Sequence, residues 1–162
     1  MGERAGYRCR QGEEVSPIFR KQWFIGDGDE ELKGFVTAVA GKLMETTRFD
    51  GSEPCIADGD VALRDDLWIG RLFPAMLSVL YDPPFDSVET TTNCDISDHG
   101  LFEIELWRWN LWSLNHYDVG FMTGELGEKE ILFGVEFVRG KPLKRGVRWL
   151  TRERLLAKAL KE

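Results

Sequence analysis

At 162 residues and 18.6 kDa the chain is the size of one ordinary domain, and 43% apolar with 12% aromatic content is enough to build a core. This excludes disorder, collagen and a disulfide-stapled mini-protein, and no run approaches the roughly 20 apolar residues of a membrane span. The N-terminus lacks the apolar stretch of a signal peptide, so the expectation is a soluble, cytoplasmic protein with no membrane partner. The net charge of −7 is unevenly spread, because residues 139–162 hold nine bases against two acids, while residues 1–138 hold 12 bases against 26 acids.

In chain order, residues 1–14 are charged and turn-rich and read as a loose arm. Ile18, Phe19, Trp23, Phe24 and Ile25 point to a strand within 15–25, interrupted by Pro17 and by Arg20-Lys21. Leu32, Phe35, Val36, Val39, Ala40, Leu43 and Met44 recur at three- and four-residue spacing behind acidic Asp29, Glu30 and Glu31, which predicts a helix over 29–46. Asp60 caps a second predicted helix, which Pro74 should bend or divide near Leu72 and Asp82-Pro83-Pro84 ends.

The period then changes. After β-prone Ser87 to Thr92, Phe102, Ile104 and Leu106 alternate with Glu103 and Glu105, and residues 117–122 and 131–138 alternate likewise. Gly124 to Glu128 reads as a hairpin connection, and Thr151 caps a last helix to Leu160. The predicted fold is a single α+β domain over 1–162. An antiparallel meander of about four to five strands packs against two helices from the N-terminal half and a short C-terminal helix. Residues 139–162 form its basic end.

Three of the six tryptophans fall within 107–112, and this aromatic cluster is the most unusual feature of the chain. Beyond Leu106 the even positions become Arg108 and Asn110, while the odd positions become Trp107, Trp109 and Leu111, so the apolar face changes sides. A bulge near Trp107 restores the inward face. Without one, Trp107 and Trp109 stand outside beside Glu103 and Glu105. Exposed tryptophans among carboxylates make a contact surface, and the candidate partner-binding set is Trp107, Trp109, Glu103, Glu105, Arg108, Asp118 and Glu136.

Cys94, Asp95, Asp98 and His99 offer metal-ligand types within a short stretch, and Cys94 with His99 could form a nucleophile pair. Their spacing fits no signature, and Asn, Asp and Ser there suit a turn. Asp27 to Glu31 fails the calcium-loop pattern, and both it and Asp58-Gly59-Asp60 read as helix starts. No phosphate-binding loop or nucleophile elbow occurs, and no cofactor or metal is expected. Cys9, Cys55 and Cys94 are odd in number and widely spaced, which suits a reducing compartment.

Three functions follow as expectations. The first is an acidic protein-binding module that works stoichiometrically, as an inhibitor of a basic partner, the physical type of immunity proteins and phage anti-defence proteins. The second is a small-molecule binder or acid/base enzyme using His99, His116 or a carboxylate in a cavity between sheet and helices. The third is nucleic-acid contact through Arg145, Arg148, Trp149 and Arg152.

Overall fold

A computed structural model describes residues 4–21, 28–45, 68–81, 96–138 and 141–161. The strands are β1 (Ala5–Gln11), β2 (Glu14–Val15), β3 (Phe19–Lys21), β4 (Leu101–Arg108), β5 (Leu111–Tyr117), β6 (Glu130–Phe137) and β7 (Val147–Leu150). The helices are α1 (Asp29–Glu45), α2 (Trp68–Leu80) and α3 (Arg152–Ala159). They form an α+β fold around one seven-stranded sheet of order β2-β1-β4-β5-β6-β7, with β3 also pairing β1.

Residues 5–11 are therefore not a loose arm. Tyr7 and Cys9 are fully buried on the face that meets the helices, and β1 runs parallel to β4 from Gly6↔Leu101 to Gln11↔Leu106. The sheet is mixed rather than wholly antiparallel, and the predicted meander survives as β4-β5-β6-β7. The missed strand lies in a charged stretch whose arginines turn out to be inward-facing. The strand expected within 15–25 resolves into β2 and β3; residues 22–25 lie outside the described residues, as does Ser87 to Thr92.

One face of the sheet carries Tyr7, Cys9, Phe102, Ile104, Leu106, Trp112, Leu114, Phe133, Val135 and Phe137 beneath α1 and α2. The predicted stripe of α1 is the one buried, Leu32 through Leu43. The helix α2 continues through Pro74 without dividing. Both Pro74 and Gly70, whose carbonyl loses its i+4 donor there, lie on the exposed side of the helix, where water can replace that donor. The Gln11 side chain accepts from the Ile69 amide at 3.1 Å and ties the start of α2 to the end of β1.

The other face is covered at one side by α3, capped by Thr151 as expected. Leu155 is fully buried with Leu111, Ile131 and Leu150, and it lies so close to Gly134 that a Cβ there would stand 2.8 Å from its Cδ1. Arg108 donates to the carbonyls of Lys158 and Lys161, and Lys158 Nζ sits 3.3 Å from Glu136. The basic end of the chain thus docks on the acidic body.

Candidate functional site

Strand alternation places Arg8 and Arg10 of β1, Glu103 and Glu105 of β4, and Ser113, Asn115 and Tyr117 of β5 on the face opposite α1 and α2. The registers Arg8↔Glu103, Arg10↔Glu105, Glu103↔Asn115 and Glu105↔Ser113 put them side by side. Glu103 is completely buried. Its Oε2 accepts from Arg8 Nε at 2.7 Å and Arg10 Nε at 3.1 Å, and its Oε1 from Asn115 Nδ2 at 2.9 Å and Tyr117 OH at 2.8 Å. Asn115 also donates to Glu105 at 2.8 Å, and Lys129 Nζ reaches the same Glu105 oxygen at 3.0 Å. Trp107 Nε1 donates to Ser113 Oγ at 2.9 Å, and Ser113 donates to Asn115 Oδ1 at 2.8 Å, so the network is continuous from Trp107 to Arg8.

Burial alone pushes the Glu103 carboxyl up. The hydrogen bonds from Asn115 and Tyr117 and the Arg8 guanidinium outweigh it and hold the group below the usual carboxylate range. Burial and the bond to Glu103 push the Tyr117 hydroxyl up. Glu103 is thus an ionised carboxylate with four donors around it, and it has no lone pair left for a substrate proton. The saturated carboxylate ties β1, β4 and β5 together on this face.

These positions correct the expected surface patch. Glu103 and Glu105 are buried, because Arg8, Arg10 and Lys129 fold over them. The register does shift between Leu106 and Arg108, so a bulge at Trp107 is present. It separates the tryptophans: Trp107 joins the polar face under Lys129, 5.2 Å from its ring, whereas Trp109 packs against the helix-side core. Arg108 and Glu136 are held by α3, and of the predicted set only Asp118 stands almost fully exposed, at 97% of its side chain. In the basic set, Trp149 meets Phe133 at 5.4 Å on the helix side while Arg148 points to the α3 side, so they form no common platform. Arg145 and Arg152 are exposed.

His116 Nε2 lies 2.6 Å from the His99 carbonyl and its ring lies 4.8 Å from Phe102. Asp98 is exposed, and Cys94 and Asp95 lie outside the described residues. Among the described residues no group of three or more His, Cys, Asp or Glu is placed to hold a metal.

The surface feature that alternation concealed is the loop between β5 and β6. The expected strand through 117–122 ends at Tyr117. A Val119↔Leu126 bridge closes the loop's base, and Val119 is buried with Ile96, Leu101 and Tyr117. Gly120 N donates to Glu125 O at 2.8 Å, Gly124 N to Gly120 O at 2.9 Å and Gly127 N to Asp118 O at 2.8 Å. At its tip Phe121 and Met122 are 79% and 80% exposed, and Met122 holds φ at 72°, a left-handed value that costs a non-glycine residue about 1–2 kcal/mol. Asp118, Glu125, Glu128 and Glu130, in the same 118–130 stretch, are all exposed. Lys129 is the loop's only base, and it is drawn inward to Glu105. Beside the loop a groove of about 820 Å³ is lined by His116, Asp118, Glu128, Lys129, Glu130 and Arg152. Gly120 and Gly124, four residues apart, were the signal for a turn here.

Comparison of the chain with known protein families, characterised proteins and solved structures finds no match. Among the described residues no helix is long and apolar enough to cross a membrane.

Proposed function

We propose that the protein acts by stoichiometric binding to a basic protein partner, which it inhibits by covering a basic surface, and that the loop over residues 118–130 is the contact. One observation carries this reading: two large apolar side chains are exposed at the tip of a hydrogen-bonded loop whose 118–130 stretch also carries four exposed carboxylates. Leaving Phe121 and Met122 in water forgoes roughly 1.5–3 kcal/mol of burial for each, which a partner's apolar pocket would recover. The carboxylates supply the long-range field that speeds encounter with a basic surface, and the closed backbone limits the ordering cost of docking. Asp118 is the member of the expected partner-binding set that lies in this contact.

The test compares tagged wild type with the double variant Phe121→Ser, Met122→Ser in retention of proteins from the native host at low and moderate salt. A stoichiometric basic protein held by the wild type, released as salt rises, and not held by the equally folded double variant is the expected result. Equal retention by both proteins would refute the assignment.

The neighbouring groove favours a second reading, binding of a small charged molecule between Arg152 and Glu128. Native mass spectrometry of protein purified from its host would show the added mass, and bare protein would remove that reading.

A further inference from the structure

We propose that the outer edge of β7 is a second docking site, one that takes an acidic extended segment of a partner protein as an added strand. This goes beyond the loop contact above and uses the opposite end of β6. Its eight residues span roughly 26 Å at the rise of a strand, which separates the acidic loop from the basic turn before β7.

The sheet order ends at β7, so only one of its edges is paired with β6. Val138 N donates to Gly146 O at 2.8 Å, which fixes the hydrogen-bonding phase of this ladder. Counting by two from Gly146, Arg148 and Leu150 turn their backbone groups to β6, and Val147 and Trp149 turn theirs outward. Among the described residues nothing pairs with that outward side. The strand is also held extended before any partner arrives: Leu150 is buried under α3, and Trp149 is clamped between Phe133 and Lys33, the latter 5.5 Å above its ring. Pre-ordered main chain of this kind is the template for strand addition.

Charge selects the occupant. Residues 141–161 hold eight bases and one acid. Lys141, Lys144 and Arg145 are exposed before the strand, Arg148 along it, and Arg154 beyond it. An edge-to-edge pair of two copies would set Arg148 and its neighbours against their equivalents, which like-charge repulsion opposes. An acidic strand has the complementary sign, with Arg148 only loosely held by Glu136 at 3.9 Å and open to a second carboxylate.

The probe is a capped eight-residue peptide in which Glu alternates with Thr and Val, titrated into the full-length protein by calorimetry at 50 and 300 mM salt. Val147→Pro removes an outward-facing donor and no bond to β6, so it tests the backbone contact while the fold is retained. Circular dichroism and the thermal midpoint verify that retention. The expectation is saturable one-to-one binding, weakened at least tenfold by Val147→Pro, by Arg145→Glu with Arg148→Glu, and by the higher salt, and absent for the peptide with Lys in place of Glu. Absence of binding, or affinity unchanged in folded Val147→Pro, would overturn the proposal, as would sedimentation showing that a second copy occupies the edge. None of these outcomes bears on retention of a basic partner by the loop.

Discussion

Replacing Glu103 by Gln tests the buried network most directly. The amide has nearly the volume of the carboxylate, so packing is preserved and electrostatics alone change. Each oxygen of Glu103 accepts from two donors, Arg8 and Arg10 on one side and Asn115 and Tyr117 on the other. Whichever way the glutamine amide turns, its NH₂ meets two donors. It also leaves Arg8, only 10% exposed in its side chain, without its counter-charge. Breaking a buried pair by removing one partner costs about 3–5 kcal/mol, which for a domain of this size lowers the thermal midpoint by roughly 6–20 °C. Urea denaturation followed by tryptophan fluorescence and circular dichroism gives the free energy. Because the folded pKa of Glu103 is depressed, its contribution is complete above the unfolded carboxyl value and is lost as pH falls through the lower folded value. Wild type should therefore lose stability on acidification below that range more steeply than Glu103→Gln. A loss under about 1 kcal/mol, with acid profiles that coincide, would refute the account of Glu103 as a charged hub.

Two further outcomes follow from close packing. Gly134→Val drives a side chain into Leu155 and should undock α3, at a cost of about 1–3 kcal/mol, read as accelerated amide exchange over residues 152–159 with less change in β4 and β5. Burial pushes the Cys9 thiol up, and its Sγ lies against Met76 Sδ at 3.6 Å, so the peptide carrying Cys9 should escape alkylation at pH 8 in native protein and react on unfolding. Fast native labelling of Cys9 would contradict its burial.

Helix α1 was legible because its apolar residues repeat at the spacing of one helix face, and α3 because Thr151 caps a leucine stripe. The meander and the Trp107 bulge were legible in the alternation of Phe102 to Leu111. Strand β1 was not, since its inward-facing arginines are neutralised by Glu103, a partner nearly one hundred residues away that no local pattern reveals. The same partnership hid the fate of Glu103, which read as part of a solvated face and lies buried. Phe121 and Met122 continued an alternating pattern in sequence, and only the backbone turn closed by Gly120 and Gly124 carries them out of the sheet.

The parallel pairing of β1 with β4 also sets an order for assembly. Strands β4 to β7 meet through near neighbours in sequence and can form early, whereas β1 must wait on a partner that starts at Leu101. During synthesis this strand leaves the ribosome long before that partner exists, with its β4 edge unpaired and its arginines without Glu103. Such non-local closure is slow and leaves the nascent chain open to misassociation. Refolding should accordingly be limited by insertion of the N-terminal strand, and a circular permutant that joins the old termini and begins between α2 and β4 would place β4 ahead of β1 and change that rate.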